Sequence, residues 1–270
     1  MNPISEAFGR AKKNGTGALV GYVTAGDPSP ELTPKIADTL IRGGVDVLEL
    51  GLPFSDPIAD GPTIQAASVR ALVAGTTPTK VLEIAKQIRR DHETPVVIMT
   101  YYNPVFRLGL EGFCGLAKES LVDGIIVPDL PVEEADEYKR AAVAFGLSTI
   151  FLAAPSTDNQ RLKTIVDCST GFLYLVSHFG VTGTQRALGD STLALIKRVL
   201  PFTEGKIPLA VGFGVSKPEH VRSLISAGAD GVIVGSAFVN IVKSNLKDTE
   251  AMLKQLETAA HQLKDATKIG

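Results

Sequence analysis

Between residues 47 and 62 the chain reads Val-Leu-Glu-Leu-Gly-Leu-Pro-Phe-Ser-Asp-Pro-Ile-Ala-Asp-Gly-Pro. The first five residues are an apolar strand with one carboxylate, Glu49, set inside it. The rest is a loop stiffened by Pro53, Pro57 and Pro62 that carries Asp56 and Asp60. An ionised carboxylate in an apolar strand is costly unless it is paired. Such a group is matched to a nearby Lys or Arg, neutralised by a raised pKa, or kept for a task. A second acid on a rigid loop close by favours the task. One carboxylate in an apolar setting and another in a polar one have separated pKa values, which is what general acid/base chemistry needs.

Apolar, β-branched runs alternate with helix-period segments from end to end. The predicted strands are Leu19–Thr24, Val47–Gly51, Val96–Thr100, Gly124–Pro128, Thr149–Ala153, Phe172–Ser177, Leu209–Gly212 and Gly231–Gly235. Predicted helices include Glu31–Arg42, Thr77–Arg90, Leu110–Glu119, Val132–Phe145, Asn159–Asp167, Ser191–Leu200, Pro218–Ala227, Phe238–Ser244 and Thr249–Lys264. Gly-Val-Asp, Leu-Val-Asp-Gly and Gly-Ala-Asp-Gly, starting at Gly44, Leu121 and Gly228, mark helix-to-strand returns. Strict alternation implies a parallel sheet, and strands this apolar are buried on both faces. Eight units in 270 residues predict one (β/α)8 TIM barrel, a single domain over residues 1–270. An amphipathic N-terminal helix, with Ile4, Phe8 and Ala11 on one face, would plug its bottom. An open doubly wound sheet would favour Gly-x-Gly-x-x-Gly after the first strand, and residues 21–26 do not read so.

Barrel chemistry sits on the loops after the strands. Those positions hold Tyr22, Glu49, the Asp56/Asp60 loop, Tyr101 and Asn103, Asp129, a glycine-rich segment from His178 to Gly183, Gly212 to Ser216, and Gly235-Ser236. Glycines after strands seven and eight, with Ser236 opening a helix, predict a phosphate site built from backbone N–H groups. Tyr22, Tyr101, Tyr174 and Phe213 map to the same end; each could be core, but four together fit a flat apolar ligand. No lysine falls at a predicted strand end, and only His178 of four histidines lies near that face. Schiff-base and metal-dependent aldol chemistry are therefore not expected, and no metal is predicted.

With 44% hydrophobic residues and a net charge of −2, the composition gives no case for nucleic acid or an anionic membrane. No apolar run approaches a membrane span. The N-terminus lacks a secretory pattern, and Cys114 and Cys168 lack metal spacing, so a cytoplasmic protein with reduced thiols is expected.

Residues 48–61, Gly21 to Pro28, Val127 to Pro131, Gly180 to Gly183 and Gly212 to Gly214 together resemble the tryptophan synthase alpha chain family, in order and register, over essentially the whole chain. The resemblance implies a lyase of tryptophan biosynthesis that cleaves indole-3-glycerol phosphate to indole and glyceraldehyde 3-phosphate. It implies catalytic Glu49 for proton transfer, Asp60 for the ring N–H, and Tyr174 to orient Glu49 or the substrate. It assigns Thr182, Gly183, Gly214, Gly235 and Ser236 to the phosphate, and Tyr22, Met99, Tyr101, Ile126, Leu152, Phe213 and Ile233 to the indole pocket. It further implies no cofactor in this chain and a partner, the pyridoxal-phosphate-dependent tryptophan synthase beta chain, in an α2β2 heterotetramer. Pro53, Asp56, Asn103, Phe106 and Pro131 are the expected contacts with that partner. Two departures stand out: His178-Phe179 where many relatives carry an arginine, and Tyr22 where some carry phenylalanine. A free-standing lyase and a catalytically silent barrel that regulates a partner enzyme are the alternatives.

Overall fold

The computed structural model describes residues 2–176, 190–212 and 214–269. Its strand segments are β1 (Ala18–Thr24), β2 (Val47–Gly51), β3 (Val96–Met99), β4 (Gly124–Ile126), β5 (Ser148–Ile150), β6 (Leu152–Ala153), β7 (Leu173–Val176), β8 (Leu209–Gly212) and β9 (Gly231–Val234). Its helices are α1 (Pro3–Lys13), α2 (Thr33–Arg42), α3 (Pro62–Val73), α4 (Pro78–Asp91), α5 (Tyr102–Leu108), α6 (Leu110–Glu119), α7 (Asp136–Ala144), α8 (Asn159–Cys168), α9 (Asp190–Thr203), α10 (Pro218–Ser226), α11 (Ser236–Ser244) and α12 (Thr249–Asp265).

All pairings between these strands are parallel, in the order β5-β4-β3-β2-β1-β9-β8-β7-β6. The two ends of that order are separated in sequence only by Phe151, whose carbonyl accepts the Tyr174 N–H at 3.2 Å. β5 and β6 are thus one predicted strand with a break, and the sheet closes as the expected barrel.

Side chains alternate between two clusters, as the two-residue period of a strand requires. Leu19, Val23, Leu48, Leu50, Ile98 and Ile125 face the helices. Val20, Val47, Val97, Ile126, Ile150, Ala210 and Ile233 face inward, where Ile4, Ala7, Phe8 and Ala11 of α1 join them. The predicted plug is therefore real. Its Phe8 ring lies 5.5 Å from that of Phe172, and burying a side chain of this size is worth roughly 1.5–3 kcal/mol.

The helix-to-strand returns do more than the sequence pattern indicated. Asp46, Asp123 and Asp230 each accept the first or second N–H of the neighbouring strand, from Leu19, Val96 and Leu209, at 2.7–2.9 Å. Each also donates its own N–H back to that residue's carbonyl. Two of the returns turn on glycines with positive φ, Gly44 at 101° and Gly228 at 105°, whereas the third uses Leu121 at 60°. An L-residue there is strained by about 1–2 kcal/mol, and Leu121 is half exposed, so little packing compensates. Leu121→Gly should gain a few tenths to about 1 kcal/mol in urea unfolding, after glycine's greater chain entropy is subtracted. A destabilised variant would mean that Leu121 packing outweighs the backbone strain.

One helix expectation needs correction, and two helices lie outside the expected set. Val132–Phe145 is a 3-10 turn at Val132–Glu134 followed by α7, broken at Ala135. α3 was not anticipated, because it exposes Val69 and Val73 as well as burying Ala67 and Ala71, which blurs its periodicity. α5 was missed because it has only seven residues and contains Pro104.

Candidate active site

At the C-terminal end of the barrel a cavity of about 90 Å³ is walled by Tyr22, Glu49, Asp60, Gly61, Ile64, Met99, Tyr174, Gly214, Ile233, Gly235 and Ser236. β1 and β2 pair so that Tyr22 and Glu49 are direct partners, both pointing inward. Glu49 is 1% exposed, and neither of its carboxyl oxygens has a hydrogen-bond partner among the described residues. Burial, with the charge of Asp60 adding to it, pushes Glu49 up to about 8. Asp60 is raised to about 6 by burial, a shift held back by the neighbouring Tyr101 hydroxyl. At neutral pH one carboxyl is protonated and the other mostly ionised. The acid pair expected from sequence has the separation that acid/base chemistry requires.

The tyrosines in the wall stay protonated. Burial raises Tyr22 and Tyr174 well above the usual phenol value, and the neighbouring acids reinforce the shift. The Tyr22 hydroxyl finds a partner in Thr24 Oγ1 at 3.2 Å. Its ring fits because Gly51 and Gly235 flank it; a Cβ at Gly235 would stand 3.2 Å from the ring.

Another part of the wall is made of backbone. Gly235 caps α11 with no side-chain hydrogen bond to the first turn. The early N–H groups of α11 therefore face the cavity with the positive end of the helix dipole behind them. Gly214 adopts φ +78°, a left-handed conformation that brings its backbone to the cavity rim.

Several assigned positions lie elsewhere. Tyr101 does not line the cavity, and its hydroxyl accepts the Ala59 N–H at 3.0 Å. Ile126 is fully buried and Leu152 packs within the barrel, next to the cavity residues Met99 and Tyr174 that pair with them but not in the wall itself. Thr182, Gly183 and Phe213, with the His178 segment, lie outside the described residues. Of the expected contact residues, Asp56, Asn103, Phe106 and Pro131 are exposed, Phe106 to 69%, whereas Pro53 is buried.

Sequence reasoning missed Gly61 and Ile64, which reach the cavity because α3 starts there. It also missed the partly buried pair of Asp27 with Arg70, bidentate at 2.7–2.8 Å, which ties the loop after β1 to α3. A larger hollow of about 510 Å³ opens at the other end, between Phe8, Lys12 and Asp230, away from both acids. Among the described residues no cluster of three or more His, Cys, Asp or Glu could hold a metal. No described helix is long and apolar enough to cross a membrane.

The sequence profile of the family described as tryptophan synthase alpha chain matches residues 8–268. The chain is 48% identical to the tryptophan synthase alpha chain of Methanoregula boonei over 268 residues, 99% of each chain. It is similar in structure to tryptophan synthase subunit alpha from Legionella pneumophila, with 36% identity, a TM-score of 0.89 and coverage of 99% and 98%. A chain from the tryptophan synthase α2β2 complex of Pyrococcus furiosus, solved as a structural basis of mutual activation, is 45% identical with a TM-score of 0.86. That alignment covers 92% of this chain and 98% of the other.

Proposed function

The chain belongs to the tryptophan synthase alpha chain family, and we propose that Glu49 and Asp60 are the acid pair of its lyase reaction. That reaction splits indole-3-glycerol phosphate into indole and glyceraldehyde 3-phosphate. The carrying observation is Glu49 itself, a buried and unpartnered carboxyl raised to about 8 beside a carboxyl at about 6.

Indole can leave only after its C3 is protonated. Protonated Glu49 gives that proton, and positive charge develops on the ring nitrogen. Ionised Asp60 accepts the ring N–H and stabilises the charge, an effect strengthened by burial. The Glu49 carboxylate then takes the proton of the substrate hydroxyl on the carbon bonded to C3. The C–C bond breaks, its electrons return to the ring, the aldehyde forms, and Glu49 is protonated again. Tyr174, in the same wall, orients Glu49 or the substrate. Tyr22, Met99 and Ile233 supply apolar surface for the indole, and Phe213 is assigned there by resemblance.

The phosphate is held by backbone donors near Gly214, Gly235 and Ser236, with Thr182 and Gly183 assigned by the family match. Gly214→Val should raise KM for indole-3-glycerol phosphate about tenfold or more, because the branched side chain is strained at positive φ and keeps the anion away. Unchanged KM in a steady-state indole-release assay would refute the phosphate assignment, and no indole from wild type would refute the lyase itself.

The partner is the tryptophan synthase beta chain, in an α2β2 assembly. Pyridoxal phosphate is assigned to that partner, since the cavity wall described above contains no lysine. Residues 1–270 are proposed as one domain, acting in the cytoplasm.

A further inference from the structure

We propose that Tyr101 is a positioning residue that latches the Asp60 loop, its phenol oxygen accepting the Ala59 N–H so that its proton is directed to the Asp60 carboxylate. The proposal rests on the reading of Asp60 as an acceptor for the substrate.

Three contacts converge on this side chain. The Ala59 N–H reaches the phenol oxygen at 3.0 Å, a normal hydrogen-bond length. A phenol has one proton, and with the backbone donor on its oxygen that proton is free to turn to the adjacent Asp60, which lies close enough for each group to perturb the other. The ring stacks on Phe54 of the same loop at 5.3 Å and 27°. Tyr101 thus grips the loop at both ends, through Phe54 on the way out of β2 and through Ala59-Asp60 on the way into α3. Its own backbone is fixed from the other side. Tyr101 is the cap residue of α5, and the next N–H, that of Tyr102, bonds Asp129 Oδ1 at 2.9 Å. Tyr101 is only 4% exposed and is absent from the cavity wall, so contact with the indole is not its principal use.

The consequence is chemical as well as steric. The groups facing Asp60 from the packed elements are Glu49 of β2, Tyr22 of β1, Tyr174 of β7 and Tyr101 itself. Of the causes that act on Asp60, burial raises its pKa and the neighbouring Tyr101 hydroxyl lowers it. Without the phenol, burial acts on Asp60 unopposed and its pKa rises further.

The test is Tyr101→Phe, which keeps the ring against Phe54 and removes the hydroxyl that holds Ala59 and faces Asp60. In complex with the beta chain, indole release is followed from about pH 6 to 9. The expected result is a kcat lowered about tenfold at pH 7, the scale of one charge-assisted hydrogen bond. KM should change much less, and the acidic limb of the profile should move upward by about half a pH unit or more. A loss equal at every pH with a raised KM would make Tyr101 a pocket wall and overturn the proposal. A carbon-13 carboxyl titration of Asp60, assigned with Asp60→Asn, gives an answer independent of turnover. Its midpoint should rise in Tyr101→Phe, and an unchanged midpoint overturns the latch. Absence of indole release by wild type would overturn the function of the site, and the titration would still decide the latch.

Discussion

Glu49→Gln is expected to release indole at least about 10²–10⁴-fold more slowly than wild type, the usual loss for a missing general acid/base. The same substitution should make the protein more stable at neutral pH. Glu49 is raised from 4.5 to about 8 by burial and by Asp60. Between those values the folded chain keeps a proton that the unfolded chain has released. The contribution of Glu49 is therefore fully present below about pH 4.5 and is lost as pH rises toward 8. Glutamine keeps the shape and has nothing to ionise, so the gap between variant and wild type should widen from pH 5 to pH 8. It should reach on the order of 1–3 kcal/mol. Urea unfolding at pH 5, 7 and 8 reads the gap. Near-normal indole release from a folded Glu49→Gln chain would end the mechanism, and a pH-independent gap would mean that Glu49 is not buried as an acid.

This opposition of stability and activity explains why Glu49 was legible in sequence at all. A carboxylate between Leu48 and Leu50 violates strand patterning, and violations of that kind collect at functional sites. The barrel was legible for a related reason: eight apolar runs with helical spacers admit few arrangements. What the sequence hid was contact across elements. Nothing near Tyr101 indicates that its hydroxyl points to Ala59 instead of the cavity. Nothing near Asp27 names Arg70, 43 residues away, as its partner. Asp46, Asp123 and Asp230 were read as punctuation, and their bonds to the preceding strand depend on a register visible only in the folded sheet. Ile126 and Leu152, assigned to the pocket by resemblance, point into the barrel as register partners of Met99 and Tyr174, just outside the cavity wall.

The alpha chain mixed with its beta-chain partner should release indole many-fold faster than the alpha chain alone, and Phe106→Ala should remove most of that gain. Indole is small and apolar, so delivery straight to a consuming site prevents its loss. The face around the cavity mouth is suited to such a contact. Phe106 is 69% exposed and Ile58 is 83% exposed, the one on α5 and the other between Asp56 and Asp60. Large apolar groups left in water gain most when a partner covers them, and a central aromatic commonly costs 2 kcal/mol or more when truncated. That corresponds to a weakening of about thirtyfold in affinity. Phe106 packs on Tyr102 with ring centroids 6.0 Å apart, one residue from Tyr101. Ile58 shares its loop with Asp60, so covering both side chains restrains the loop that carries the acid. Activation should then show chiefly in kcat, because the restrained group is one that acts in the transition state. Sedimentation of wild type and Phe106→Ala with the beta chain, beside indole-release rates of each alone and mixed, tests the whole sequence. No complex at micromolar concentration, or equal rates alone and mixed, would favour the free-standing lyase. Complex formation with no indole from either preparation would favour the silent regulatory barrel.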